Sequence, residues 1–191
     1  MKTKFMAIMG PSGVGKSTIM HELEKLDRRF VLIKTHVTRL LREGETDRVS
    51  LTLEELEAMR GKGEVIQVNR IYGTYFAALP WKPIKKALAN GMFPMCDYKI
   101  PYAADLKAEL SGALFSVYLL PTSFDSIRAR MQKSWGKVDE ARIAEDQKEV
   151  QSLDTRYPGL IDFKIYSEEG QVRRVAEEIY YAYLKSLVRP K

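Results

Sequence analysis

Gly10-Pro11-Ser12-Gly13-Val14-Gly15-Lys16-Ser17-Thr18, set directly behind the apolar run Phe5-Met6-Ala7-Ile8-Met9, constrains this chain more than any other stretch. A glycine, four residues and then Gly-Lys-Ser is the spacing of a phosphate-binding loop, which takes a strand before it and a helix after it. Gly10, Gly13 and Gly15 let successive backbone N–H groups converge on a polyphosphate. Lys16 supplies a mobile positive charge for the β- and γ-phosphates, and the Ser17 hydroxyl can take one position on Mg²⁺. A helix opening near Gly15 turns its positive end to the same anion. The competing reading is a turn that matches by chance. Against it stand the strand-like run before the loop and the helical spacing of Ile19, Met20, Leu23 and Leu26 after it. The expected ligand is ATP, as co-substrate, with Mg²⁺.

At 191 residues and 45% hydrophobic, the chain suits one domain with a substantial core. Its net charge of +6 is spread along the sequence and not gathered in one tract with interleaved aromatics. That favours an enzyme acting on anionic phosphates over a nucleic-acid-binding ATPase. The single cysteine, Cys96, lies in the apolar stretch Met92-Phe93-Pro94-Met95-Cys96 and is expected to pack as a small hydrophobe in a reducing compartment. The apolar run before the glycine loop is too short for a signal peptide or membrane span, so a cytoplasmic protein with no membrane or nucleic-acid partner is expected, as monomer or homodimer.

Along the chain, Phe30 to Ile33 reads as a strand buried on both faces. It delivers the polar, basic segment from Lys34 to Arg48, in which Arg39 and Arg42 beside Gly44-Glu45 make a second anion site, since guanidinium forks match phosphate oxygens. Leu53 to Met59 reads as a helix with a Thr52/Glu55 capping box, Val65 to Val68 as a strand, and Ile71 to Phe76 as a further extended piece. A helix from about Pro80 to Asn90 precedes the strand Met92 to Cys96, which presents Asp97 to the cleft at its carboxyl end. Helix 105 to 110, strand 114 to 120, helix 123 to 133, helix 139 to 153, strand 163 to 166 and an amphipathic helix 171 to 187 complete an α/β alternation. The expected fold is a three-layer arrangement around a central parallel sheet, with the core at about 1–34, 80–133 and 154–191, a small inserted lobe at about 35–79 and a helical lid at about 134–153.

Together these segments resemble the guanylate kinase family of P-loop nucleoside monophosphate kinases. Thr38-Arg39, Arg42 and Gly44-Glu45 resemble its acceptor-phosphate motif, Tyr72-Gly73-Thr74 its Tyr-Gly-Thr/Ser motif, Leu119 to Ser123 its strand-to-helix Pro-Ser junction, and Arg142 a lid arginine. The resemblance implies that Arg39, Arg42 and Tyr72 clamp the phosphate of a small acceptor, with Glu45 orienting the arginines and Thr35, Gln67 and Thr74 lining the acceptor site. It implies that Lys16, Arg130 and Arg142 surround the transferring phosphoryl group and that Asp97 serves the metal or the acceptor.

The departures fall where a base is read. Gln67 stands where the family usually presents a glutamate, Thr35 where it has a serine, and Lys99 where it has an aspartate. A carboxylate accepts two hydrogen bonds side by side, whereas an amide accepts at one end only. The segment between Glu45 and Thr52 is short, which is similar to ribose 1,5-bisphosphate phosphokinases; the extra charges Arg48 and Lys99 suit a phosphate-rich acceptor. GMP or dGMP is the expected acceptor, with ribose 1,5-bisphosphate the alternative. A non-catalytic guanylate kinase-like interaction module is the alternative of another class, and the intact Gly15-Lys16-Ser17 speaks against it.

Overall fold

In the computed structural model, which describes residues 3–188, the run Phe5–Met9 forms strand β1 and is buried from end to end. Residues 1, 2 and 189 to 191 of the expected 1–191 domain lie outside the described residues. Alternate side chains of β1 feed two cores, Met6 and Ile8 entering one and Phe5, Ala7 and Met9 the other. A strand apolar on both faces has to be covered on both, which dictates helices above and below the sheet.

The remaining elements follow as α1 (Lys16–Leu26), β2 (Phe30–Leu32), β3 (Thr35–Val37), β4 (Arg48–Ser50), α2 (Leu53–Gly61), β5 (Val65–Ile71), β6 (Tyr75–Pro80), α3 (Trp81–Ala89), β7 (Phe93–Asp97), a 3₁₀ turn (Ile100–Tyr102), α4 (Ala103–Glu109), β8 (Leu114–Pro121), α5 (Phe124–Trp135), α6 (Glu140–Gln151), α7 (Leu153–Arg156), β9 (Phe163–Ser167) and α8 (Val172–Val188). The main sheet runs β2-β7-β1-β8-β9 with every pairing parallel. Leu23 of α1, Ile127 of α5 and Ile179 of α8 pack into one core, while Ile84 of α3 and Leu106 of α4 pack into the other. This is the expected three-layer fold. Its carboxyl edge carries the glycine loop after β1 and Asp97 at the end of β7, side by side because β1 and β7 are neighbours.

A second sheet, β4-β3-β6-β5, stands beside that edge. Helix α2 closes one of its faces, burying Leu56 against Val65 and Ala78. The expected capping box starts α2, with the Thr52 hydroxyl accepting from the Glu55 N–H at 3.1 Å and the Glu55 carboxylate accepting from the Thr52 N–H at 2.7 Å.

Three expectations about local structure need correction. The polar stretch from Lys34 to Arg48, read only as a basic anion-binding segment, holds β3 and the start of β4, paired in parallel with Thr35 opposite Arg48. Strands of three residues leave no alternation to read, and their partner lies across a loop. The extended piece expected over Ile71 to Phe76 is a hairpin turn: Tyr72 and Gly73 both take positive φ, 47° and 66°, and the Thr74 N–H donates to the Ile71 carbonyl at 3.0 Å. The helix expected over 139 to 153 ends at Gln151, where the Ser152 hydroxyl turns back to the Lys148 carbonyl at 2.8 Å, and a separate short helix, α7, follows.

Gly10 joins β1 to the loop at φ 138°, and a Cβ there would stand 2.5 Å from the Leu119 carbonyl oxygen of β8. Neither backbone can retreat, because β1 and β8 are register-paired from Phe5 to Met9. Gly10→Ala is therefore expected to cost about 2–3 kcal/mol of stability in urea unfolding, where an ordinary loop Gly→Ala change would be close to neutral or stabilising.

Candidate functional site

Gly15 caps α1 from the left-handed region, at φ 105°, where a side chain would be strained. The loop it closes is braced from the α5 and β9 side of the cleft: the Ser167 hydroxyl donates to the Val14 carbonyl at 2.6 Å, and the Arg130 guanidinium donates to the same carbonyl at 2.9 Å and to the Ser167 carbonyl at 3.3 Å, both residues lining the cleft. Arg130 thus sits on α5 against the loop. In front, the Lys16 ammonium donates to the carbonyls of Gly10 and Pro11, each at 2.9 Å, and lies 3.7 Å from Asp97. Burial pushes its pKa below the ordinary value, with Asp97 pulling the other way.

Loop, second sheet and the α5–α6 junction enclose a cleft of about 1330 Å³. On its far wall the Glu45 carboxylate grips Arg39 with both oxygens, at 2.6 and 2.8 Å, and accepts from the Arg42 backbone N–H at 3.1 Å. Arg39 also lies 5.1 Å over the Tyr75 ring. The Arg42 guanidinium stacks 4.6 Å from the Trp135 ring centre and Arg142 stacks 4.1 Å from that of Tyr72. Neither makes an ion pair among the described residues. Burial lowers the Arg42 pKa, and the charges of Arg39 and Arg142 push it the same way. Converging guanidiniums that no carboxylate neutralises make an anion site.

Tyr72 links this wall to the loop. Its hydroxyl lies 2.8 Å from the Ser12 hydroxyl, donates to Asp146 at 3.0 Å and accepts from the Lys99 ammonium. Asp146, on α6 and 2% exposed, also accepts from the Ser12 backbone N–H at 2.7 Å and from Lys99 at 3.2 Å. Burial pushes the Tyr72 phenol up to about 12. Left-handed backbone at a non-glycine residue costs about 1–2 kcal/mol, and the structure over-determines it here through the hydroxyl's three partners.

Of the positions expected to line the acceptor site, Thr35 lines the cleft. Gln67 is set behind the wall: its side-chain oxygen accepts from the Tyr98 hydroxyl at 2.7 Å, and Tyr98 in turn accepts from the Asn69 amide at 3.0 Å. Asn69 and Tyr98 line the cleft. Thr74 is occupied locally, donating to the Ile71 carbonyl at 3.1 Å. Asp97 pairs with Arg48 at 2.5 Å as well as facing Lys16.

For a divalent cation the donors at hand are oxygens. The Ser17 hydroxyl lies 3.5 Å from the Asp47 carboxylate, at the mouth of the loop that also faces Asp97. No group of three or more His, Cys, Asp or Glu gathers among the described residues. A hydroxyl with one or two carboxylates, completed by phosphate oxygens and water, suits Mg²⁺, so the residues present fit it.

Sequence reasoning brought Lys16, Arg39, Arg42, Glu45, Tyr72, Asp97 and Arg142 forward, and they line one cleft. It missed Asp146, Asn69, Tyr98 and Asp47. Asp146 sits among Glu145, Gln147 and Lys148 on a helix that reads as solvated, and only its contacts with the distant Ser12, Tyr72 and Lys99 set it apart.

A family model described as guanylate kinase matches residues 2–179. A guanylate kinase of Bdellovibrio bacteriovorus is 26% identical over 185 residues, which covers 94% of this chain and 99% of that protein. One from Mesorhizobium japonicum is 30% identical over 154 residues, covering 79% of this chain and 65% of that relative. Among solved structures, a guanylate kinase from Anaplasma phagocytophilum superposes with a TM-score of 0.76 at 18% identity, covering 98% of this chain and 87% of the other, a likeness of fold.

Proposed function

Because the chain belongs to the guanylate kinase family, we propose that it transfers the γ-phosphoryl group of ATP to GMP or dGMP, giving ADP and GDP or dGDP. The observation that carries this reading is the abutment of two anion sites. The Tyr72 hydroxyl, at the tip of the second sheet, lies 2.8 Å from Ser12 of the glycine loop, and Arg142 stacks on the Tyr72 ring. Groups bound on either side would be held next to each other, which is what in-line transfer needs.

In this reading Gly10 to Thr18 hold the triphosphate, Lys16 neutralises its terminal oxygens, and Ser17 with Asp47 and Asp97 would hold Mg²⁺, which would supply charge neutralisation. Arg39, Arg42 and Tyr72 hold the acceptor phosphate, and Arg142 spans the junction. Thr35, Asn69 and Tyr98 present hydroxyl and amide groups to the base, while Gln67 fixes Tyr98 from behind. An acceptor phosphate oxygen supplies the electron pair for the new P–O bond, and the bond to the ADP oxygen breaks with its pair leaving on ADP. The lobe at about 35–79 binds the acceptor, and the segment at about 134–153 closes over both substrates and limits hydrolysis by water. A cytoplasmic monomer or homodimer acting on small molecules suits this chemistry. In support, Cys96 is a buried free thiol with its pKa raised by that burial, as suits a reducing compartment.

The test is a coupled ADP-release assay with GMP, dGMP, AMP and ribose 1,5-bisphosphate. Mg²⁺-dependent turnover is expected with the guanine nucleotides and background with the rest. Turnover on the bisphosphate alone would move the acceptor to a sugar. Absence of ATP binding in calorimetry would leave a non-catalytic module.

A further inference from the structure

We propose that Lys99 is a further catalytic residue, its ammonium contacting the phosphoryl group as it passes between substrates, and that Asp146 is the positioning residue that holds it there. The proposal rests on the kinase reading above.

Lys99 lies two residues beyond Asp97, where the chain leaves the carboxyl end of β7, and it lines the cleft. Its ammonium donates to the Tyr72 hydroxyl, which lies 2.8 Å from the Ser12 hydroxyl, and to an Asp146 oxygen at 3.2 Å. The second Asp146 oxygen accepts from the Ser12 N–H at 2.7 Å. By both routes Lys99 is one residue removed from the loop. It is close enough to Lys16 that its charge helps to lower the Lys16 pKa. Two ammonium groups therefore flank the place where the sites abut, Lys16 from within the loop and Lys99 from the acceptor side.

Charge bookkeeping supports a role beyond that of a strap. During transfer the negative charge spreads over three equatorial oxygens, and donors fixed beforehand near them stabilise that state without reorganising. A lysine ammonium carries three donors. With one kept on Asp146, another can pass from Tyr72 to a phosphoryl oxygen. Burial works against the Lys99 charge, but Tyr72 and Asp146 outweigh it, so the ammonium stays protonated. Asp146 touches no reacting atom. Its part is to fix Lys99, Tyr72 and the Ser12 N–H in one arrangement, the tie that brings α6 to the loop.

Lys99→Met, Lys99→Arg and Asp146→Asn in the full chain separate this from the alternatives. Calorimetry gives the affinities for ADP and for GMP singly and for adenosine–guanosine pentaphosphate, which spans both sites; steady-state assays give kcat and KM. Lys99→Met is expected to keep ADP and GMP affinities within about threefold while kcat falls about 30-fold, with the affinity for the pentaphosphate falling by a similar factor. Lys99→Arg is expected to restore part of kcat. Asp146→Asn is expected to lower kcat less, and to add little in a Lys99→Met background. Unchanged kcat with raised KM for GMP would make Lys99 an acceptor-binding group, and lowered thermal stability with kcat and all affinities unchanged would make the cluster a strap; either overturns the proposal. A wild-type chain that neither binds nor phosphorylates GMP would remove the kinase reading itself, a result distinct from an active Lys99→Met variant.

Discussion

Lys16→Met is expected to lower kcat about 1000-fold, roughly 4 kcal/mol of transition-state stabilisation, while the fold survives. The structural side follows from what Lys16 touches. Its ammonium is held by two carbonyls of its own loop and by Asp97, and Asp97 keeps a second cation, Arg48, at 2.5 Å. Removing the lysine therefore leaves no carboxylate stranded, and methionine fills a similar volume, so a loss of no more than about 1 kcal/mol in urea unfolding is expected. The catalytic side follows from where the charge is. An ammonium already desolvated at the mouth of the loop needs only to exchange two carbonyl acceptors for phosphate oxygens, whose charge grows as the bond to ADP breaks. Interactions stronger in the transition state than in the bound substrate lower kcat when lost, and uniform ones raise KM. A large rise in the KM for ATP with kcat unchanged would show that Lys16 only binds.

How much of this site could be read without coordinates depended on how local each feature is. The β1–loop–α1 unit was legible because its apolar run, its glycines and its helical spacing are contiguous. The capping box of α2 was legible for the same reason, since Thr52 and Glu55 satisfy each other within one turn. Arg39, Arg42 and Glu45 were brought forward by spacing, though the two-oxygen grip of Glu45 on Arg39 shows only in space. What stayed hidden was non-local. β3 and β4 owe their existence to a register across the intervening loop, Asp146 to partners on three other segments, and the shift from Gln67 to Asn69 at the cleft wall to the Tyr98 hydroxyl between them. Lys99 stands out in the sequence as an odd residue for the family, and its bonds to Tyr72 and Asp146 show only in space.

Arg42→Ala is expected to lower kcat/KM for the acceptor about 100-fold, roughly 3 kcal/mol, with the affinity for ATP retained and stability within about 1 kcal/mol of wild type. The two neighbouring arginines are not equivalent. Arg39 is already engaged by Glu45 through both oxygens, and burial, which opposes the Glu45 charge, is outweighed by those bonds. Removing Arg39 strips a half-buried carboxylate of its partner, so Arg39→Ala is expected to lose stability and acceptor binding together. Arg42 has no acid to abandon. Its guanidinium lies on the Trp135 ring, with Arg39 and Arg142 raising its electrostatic energy. Deleting it gives up a cation–ring contact and relieves like-charge repulsion, two effects of similar size and opposite sign. The like charges of Arg39 and Arg142 are thus relieved by an arriving dianion, so the worth of Arg42 appears mainly in binding and transfer. Urea unfolding of both variants beside acceptor and ATP titrations would test this split. If Arg42→Ala weakened ATP and acceptor equally, the guanidinium would belong to the donor side of the cleft, and the two-sided arrangement would fail.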